Sequence, residues 1–243
     1  MSLRFYCPDP PSEGRYALPA DEARHLVRVC RKKVGDRVEL FDGSGFATTA
    51  RIVDVDKDRV CLIAEGPPIP ELASSFSLVL ATAIPKGDRF DWLVEKATEL
   101  GVDRLIPLVT ERSVVDPRRA KLERLRRTVI EACKQSRRNR LMILDSPKTW
   151  TDLVRSANSS LRLLAVPQGL SPVRWPRLAG SRSVLLAVGP EGGFTEAEEG
   201  QARSAGWQPI QFSCNVLRIE TAAIAGCAAV LAFCREHETD ERN

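Results

Sequence analysis

The apolar positions of the chain follow two rhythms, separated by the proline-rich break Gly66-Pro67-Pro68-Ile69-Pro70. Before the break, short β-rich runs at 4–7, 37–41, 46–53 and 59–65 are punctuated by Val34-Gly35-Asp36 and Asp42-Gly43-Ser44-Gly45, which predicts a small barrel of short strands. One helix is expected among them at 21–29, with Ala23, Leu26 and Val27 on its inner side. The break reads as a linker, because proline cannot continue regular structure, and it sets an expected domain boundary between residues 1–70 and 71–243.

After the break, strand-like runs at 77–83, 104–109, 141–144, 161–166, 183–188 and 208–212 are interspersed with helical patterns at 91–100, 118–135, 195–205 and 221–235. The strands are almost continuously apolar, as in a parallel sheet covered on both faces, so an α/β fold is expected here. Leu93, Ala97 and Leu100 fall at i, i+4 and i+7 of one helix, which Gly101 closes. Thr195 followed by Glu198 is a capping-box pattern that fixes the start of another. The uncharged apolar stretch 221–234 is 14 residues, short of the roughly 20 a spanning helix needs. Its apolar character all round points to burial, within one chain or partly against a second copy.

Composition narrows the class. The 243 residues are 28% charged and 43% hydrophobic, the balance of a soluble globular protein long enough for two domains. Met1-Ser2-Leu3-Arg4-Phe5 runs into Cys7-Pro8 without an apolar core, so a cytoplasmic protein with no membrane association is expected. Seven cysteines without a C-x-x-C pair, and only two histidines, point away from a disulfide framework and from a metal site. The net charge of +4 conceals an asymmetry. Residues 112–140 hold eleven Lys or Arg against three acids, whereas residues 1–71 hold eleven against twelve. Such a concentration fits a polyanion partner, the alternative being a solvated helix surface.

The strand at 183–188 empties into Gly189-Pro190-Glu191-Gly192-Gly193-Phe194 and then into the capped helix. Ligands of open parallel sheets sit beyond such strand ends. The turn has neither the lysine of a phosphate loop nor the spacing of a dinucleotide fingerprint, and Glu191, Glu196, Glu198 and Glu199 repel the anion that a helix N-terminus would otherwise attract. A neutral, adenine-bearing or cationic ligand fits better, unless the turn is only a tight connection. A second strand-to-helix passage, 211–222, sets Arg218 and Glu220 among apolar neighbours, where a charge is costly unless paired or used. A structural ion pair between those two is the plain alternative to a functional role.

Taken together, the GPEGGF turn, Leu217-Arg218-Ile219-Glu220-Thr221-Ala222, Pro85-Lys86-Gly87-Asp88-Arg89 and Lys96-Ala97-Thr98-Glu99-Leu100-Gly101-Val102 resemble the ribosomal RNA small-subunit methyltransferase E family. So do Glu111-Arg112-Ser113, Glu131-Ala132-Cys133-Lys134-Gln135-Ser136-Arg137-Arg138, and His25-Leu26-Val27-Arg28-Val29 with Gly35-Asp36. The match is collinear along almost the whole chain. It implies a PUA-like β-barrel followed by a SPOUT α/β domain with a C-terminal trefoil knot, a feature that general folding rules disfavour and only the resemblance supplies. It implies S-adenosylmethionine as methyl donor, the N3 position of one uridine in 16S ribosomal RNA as acceptor, and a homodimer formed through the C-terminal helix. The substrate is free ribosomal RNA or the assembled small subunit. A non-catalytic RNA-binding assembly factor, or an enzyme of the same class acting on another RNA such as transfer RNA, stays open.

By the same resemblance, three strand-end loops form the cofactor pocket: Val166 and Pro167; Val188, Gly189, Pro190, Glu191 and Gly192; and Phe212, Ser213, Asn215, Val216, Leu217 and Arg218. Arg218 is expected to stabilise charge on the uracil carbonyls, with Glu191 or Glu220 accepting the proton or orienting Arg218. RNA contacts are expected from Lys86, Arg89, Arg112, Arg118, Arg119, Arg126, Arg137, Arg138 and Arg140, joined by His25 and Arg28 of the barrel. The chain departs from the family pattern at Ser213, where a loop glycine is usual, and at Ile219, where threonine is.

Overall fold

A computed structural model of the chain describes residues 3–9, 15–56, 59–71, 76–115, 122–171 and 182–240. Their contacts divide into two units, Met1–Ala73 with Ile130–Leu141, and Ser74–Val129 with Met142–Asn243. The segment Ile130–Leu141, which the sequence pattern gives to the second domain, thus groups with the first.

The first unit contains β1 (Arg4–Tyr6), β2 (Arg15–Ala17), α1 (Ala20–Arg28), β3 (Arg37–Phe41), β4 (Phe46–Asp56), β5 (Arg59–Ala64) and β6 (Ile69–Pro70). They pair in the order β1-β3-β4-β5-β2, with β6 on β4. Only β1 with β3 is parallel. Along β4, Thr48, Ala50 and Ile52 are buried while Thr49 and Arg51 face outward, the alternation of a sheet with one wet face. A bulge between Ile52 and Asp54 breaks that alternation and carries the strand past its expected end to Asp56. Phe5, Leu40, Ile52, Leu62 and Leu26 of α1 meet in one core.

The proline-rich break is less of a linker than its composition implies. Ile69–Pro70 pairs with Phe46–Ala47 as an edge strand, where a residue without an N–H is tolerated. The segment Ile130–Leu141 is tied in by Arg4, whose buried guanidinium donates to the Cys133 carbonyl at 3.1 Å and to the side chain of Asn139, pairs with Glu39 at 3.0 Å and lies over the Phe41 ring. Lys134 Nζ reaches Glu22 at 2.5 Å.

The remaining elements are β7 (Ser77–Ala83), α2 (Arg89–Leu100), β8 (Arg104–Val109), α3 (Leu122–Ser136), β9 (Ile143–Leu144), β10 (Lys148–Thr149), α4 (Trp150–Ser156), β11 (Leu161–Leu170), β12 (Ser183–Val188), α5 (Glu196–Ser204), β13 (Gln208–Ile210) and α6 (Ile219–Asp240). The seven strands of the second unit lie in the order β10-β8-β7-β12-β11-β13 with β9 on β8, and every described pair is parallel. Both faces are covered. On one, Leu185 and Ala187 of β12 pack with Trp150 and Leu153 of α4, Ala202 of α5 and Trp207. On the other, Leu186 comes so close to Gly226 of α6 that a Cβ there would sit 2.8 Å from its Cδ2. Successive residues of a strand point to opposite faces, so a doubly covered strand must be apolar throughout.

Helix α4 is absent from the sequence expectation because seven residues give no readable period. Its signal is local: the Thr149 hydroxyl accepts from the Asp152 N–H at 3.2 Å. The strand expected at 141–144 shrinks to Ile143–Leu144, since the Leu141 N–H is used by the Gly43 carbonyl of the first unit. Within α6, burial follows one stripe, Ala223, Cys227 and Val230, while Ala228 and Ala232 are exposed and Ile224 and Leu231 half-buried. Burial of that helix all round within one chain is therefore not what the fold provides. No helix among the described residues is long and apolar enough to cross a membrane.

Candidate functional site

Three segments, the middle of β11, the end of β12 with its turn, and the loop after β13, converge around a cavity of 310 Å³. Val166 and Pro167 contribute from β11, Val188 through Gly192 from β12 and its turn, and Phe212, Ser213, Asn215, Val216 and Leu217 from the loop after β13. Of the expected cofactor contacts, Arg218 alone is off the wall. The wall also includes Phe194, Glu199, Ile210, Gln211, Ile219 and Ala222. The sequence motifs contain Phe194, Gln211, Ile219 and Ala222 without marking them as contacts, and Glu199 is flagged only as a charge one turn into the helix whose start the capping box fixes.

The turn is held by its chemistry. Gly193 sits at φ 70, in the left-handed region, and its N–H closes the turn on the Pro190 carbonyl at 2.8 Å. Gly189 allows the Phe194 ring to close in: a Cβ there would lie 2.9 Å from a ring carbon. Phe194 in turn packs on Trp150 with ring centroids 4.7 Å apart. Thr195 and Glu198 complete both arms of the capping box, with Glu198 N donating to Thr195 Oγ1 at 3.2 Å and Thr195 N to Glu198 Oε2 at 2.8 Å. These bonds occupy N–H groups at the start of α5 that an anion would need.

The charge of the wall agrees. Among the described residues its charged members are Glu191 and Glu199, with no Lys, Arg or His. A polyphosphate would be repelled; a ligand with an apolar or aromatic body and a positive centre matches the mixture of backbone, apolar side chains and carboxylate.

The loop after β13 is held from within. Gln211 Nε2 donates to the Ser213 carbonyl at 2.8 Å, and Asn215 N donates to Ser213 Oγ at 3.0 Å. Ser213 is not among the described residues with positive φ, so this turn is closed by a hydroxyl and does not require the family's glycine. Ile219 is buried at the start of α6 and forms part of the wall.

The predicted charged residues fall into different settings. Arg218 is exposed, and no ion pair of its side chain is found among the described residues, so the expected pairing with Glu220 or Glu191 is not formed. Glu220 is buried, 3.7 Å from Arg89 Nε through Oε1, and its Oε2 has no hydrogen-bond partner among the described residues. Arg112 Nη1 donates to the Gly192 carbonyl at 2.7 Å. Lys86 and Arg126 are exposed in the second unit; His25, Arg28, Arg137 and Arg140 are exposed in the first, with Arg138 half-buried. Arg118, Arg119 and Lys121 lie outside the described residues. The basic stretch is thus divided between two units, and part of its charge is already committed, Arg124 to Asp91 at 2.7 Å and Lys134 to Glu22.

Comparison with known proteins accords with this architecture. Residues 73–231 match the RNA methyltransferase domain family and residues 18–65 the RNA methyltransferase PUA domain family. Over 226 residues the chain is 33% identical to the ribosomal RNA small subunit methyltransferase E of Synechocystis, covering 91% of this chain and 74% of that protein. The Rickettsia conorii protein of the same name is 35% identical over 223 residues, 89% of each. The crystal structure of the Neisseria gonorrhoeae ribosomal RNA small subunit methyltransferase E, bound to S-adenosyl methionine, superposes with a TM-score of 0.87 at 31% identity over 96% of this chain and 98% of that one. With its doubly covered parallel sheet, its glycine turn and matches of this extent, the chain belongs to the ribosomal RNA small subunit methyltransferase E family.

Proposed function

We propose that this protein transfers the methyl group of S-adenosylmethionine to the N3 position of one uridine in 16S ribosomal RNA of the small subunit. The observation that carries the reading is the cavity between β11, the turn after β12 and the loop after β13, whose charged wall residues among the described ones are acidic, in a member of this family. Glycine backbone and apolar side chains suit an adenosine, and Glu191 and Glu199 suit a positive sulfur. Bound there, S-adenosylmethionine supplies an electrophilic methyl group. The protein's own part is to orient the uracil, remove its imide proton and neutralise the charge that develops. We assign the proton to Glu220 Oε2, which has no hydrogen-bond partner among the described residues, and stabilisation of the uracil carbonyls to Arg218, which makes no ion pair among them. Glu191 then faces the cationic ligand.

The finer architecture belongs to the same proposal: the first unit as a PUA-like barrel, and the stretch from β11 to α6 as a trefoil knot. Supporting the knot, the paired strands β11 and β13 approach so closely at a register irregularity that a Cβ on Gly169 would sit 2.3 Å from Ile210 C, and the loop that follows shares a cavity with the turn after β12. A homodimer through α6 is favoured by the apolar residues that helix leaves uncovered. Lys86, Arg126, Arg137 and Arg140 are assigned to RNA phosphates, and a cytoplasmic location follows from the substrate.

Titration calorimetry with S-adenosylmethionine, followed by methylation of naked 16S RNA, assembled small subunits and transfer RNA with the modified base identified by mass spectrometry, tests the reading. Methyl incorporation at N3 of a uridine in either ribosomal substrate is expected, with RNA affinity falling steeply as salt rises. RNA binding without cofactor binding would make the protein a non-catalytic assembly factor. Methylation of transfer RNA alone would move the target.

A further inference from the structure

The loop after β8 is folded tightly on itself and reaches the cofactor turn. Thr110 N donates to Ser113 Oγ at 3.0 Å and Ser113 N to the Thr110 carbonyl at 3.1 Å, which leaves Glu111 and Arg112 at the tip. Both make contact with the glycine turn or the cap behind it. Glu111 N donates to Glu198 Oε1 at 2.9 Å, while Arg112 Nη1 donates to the Gly192 carbonyl at 2.7 Å and to the Phe194 carbonyl at 3.5 Å. The Arg112 stem lies along Gly192, where a Cβ would meet its Cδ at 3.3 Å.

Glu198 forms the other half of the latch. It is buried, one oxygen takes the Glu111 N–H, the other takes the Thr195 N–H, and its carbonyl accepts from Trp150 Nε1 at 3.1 Å. The turn from Gly189 to Gly193 has no side chains of its own capable of fixing it apart from Pro190 and Glu191. Beyond the Gly193 to Pro190 bond that closes it, the turn is braced by the neighbouring loop.

We propose that Arg112 and Glu198 are positioning residues that hold the 189–193 turn in its ligand-binding shape, and that Arg112 acts here rather than on RNA phosphate. This rests on the reading of the cavity as the S-adenosylmethionine site. An arginine suits the role because Nη1, which reaches both carbonyls, carries two N–H groups held in the fixed plane of the guanidinium while the stem packs along Gly192, whereas an ammonium turns freely at the end of a flexible chain. Glu198 suits it because a carboxylate accepts two N–H groups at once.

The test uses the full-length protein with Arg112→Ala, Arg112→Lys, Glu198→Gln and, as the phosphate-type control, Arg126→Ala. Calorimetry with S-adenosylmethionine, initial rates and binding of a 16S RNA fragment across a salt series are measured on each. Arg112→Ala is expected to raise both Kd and KM for S-adenosylmethionine about tenfold, the scale of losing one charged hydrogen bond at an exposed site. At saturating cofactor its kcat stays within about twofold, as for loss of uniform binding. Its RNA affinity and salt slope match the wild type, and lysine restores part of the loss. Glu198→Gln shifts S-adenosylmethionine affinity in the same direction. Arg126→Ala does the reverse, weakening RNA and reducing the slope by about one.

The proposal is overturned if Arg112→Ala leaves cofactor affinity intact, or lowers RNA affinity with a shallower salt slope. Hydrogen exchange at the Gly193 amide without ligand supplies a separate readout. Faster exchange in Arg112→Ala is expected, and unchanged exchange would also overturn the latch. Faster exchange in a protein whose wild type binds no S-adenosylmethionine would keep the latch and discard the assigned ligand.

Discussion

Two walls of the same cavity are built on opposite plans. The turn after β12 is fixed by residues from elsewhere: Arg112 on the Gly192 carbonyl, Glu198 on the cap, and the Phe194 ring against Gly189. The loop after β13 is anchored at its start, by Gln211 N on the Leu170 carbonyl and Phe212 against Gly226 of α6, but beyond that its described bonds are its own, Gln211 and Asn215 to Ser213, and it leaves Val216 88% exposed and Arg218 without a described ion pair. A wall braced from outside can hold a small ligand in one pose. A wall whose tip is held by its own bonds, with an apolar side chain and a cation exposed, is free to meet a second surface. Binding and chemistry are accordingly expected to separate between the two.

Arg218→Ala is the largest expected break in that division. With RNA and S-adenosylmethionine both saturating, single-turnover methylation should fall about 10²–10³-fold, the scale of removing one donor from a developing oxyanion. Cofactor affinity by calorimetry should stay close to wild type, because Arg218 is not on the cavity wall. Full single-turnover activity would remove Arg218 from the chemistry and leave the loop as a binding element only.

How much of this division could be read from the chain depends on the range of the interactions involved. The strands of the second unit were legible because burial on both faces forces a run such as Val184-Leu185-Leu186-Ala187-Val188 to be apolar at every position. The capping box was legible because Thr195 and Glu198 act within one turn. Of the cavity's three segments, the turn at 189–193 and the passage at 211–222 are legible as strand-to-helix connections, whereas Val166 and Pro167 come from the family resemblance alone. What could not be read was long range: Arg112 counts as one more cation in a basic stretch until Gly192, 80 residues on, is placed against it. Glu220 has the same character, since its partner Arg89 lies on another helix. Ile69–Pro70 and α4 were missed for a different reason, being too short to show a period.

The braced wall should tolerate little added volume. In Gly189→Ala the new methyl would lie 2.9 Å from the ring of Phe194, a buried residue backed by Trp150. Overpacking of this kind costs about 1–3 kcal/mol, and for a chain of this length each kcal/mol lowers Tm by about 2–4 °C. Gly200→Ala in α5 is the matched control. Its Cβ meets nothing within 4 Å, so a gain of about 0.5–1 kcal/mol is expected from helix propensity. Thermal unfolding of the two variants reads the contrast directly. Equal Tm values for Gly189→Ala and wild type would mean the turn can yield, against the bracing inferred from its contacts.

Cysteine chemistry probes the self-braced wall with the smallest perturbation. Cys214 is exposed on the cavity wall, whereas Cys227 is fully buried in α6, where burial pushes its thiol up to about 12. The thiolate is the reactive form, so at pH 8 the Cys227 thiol remains protonated and inert until the chain unfolds. Cys214 should therefore be alkylated by a small maleimide while Cys227 is not, as peptide mass spectrometry would resolve. Saturating S-adenosylmethionine should slow labelling of Cys214 several-fold by filling the space beside it, and leave that of the half-buried Cys30 unaffected. A labelling rate at Cys214 indifferent to the cofactor would mean the ligand is held by the glycine turn alone, and would turn the contrast between the walls into one between a binding site and a bystander.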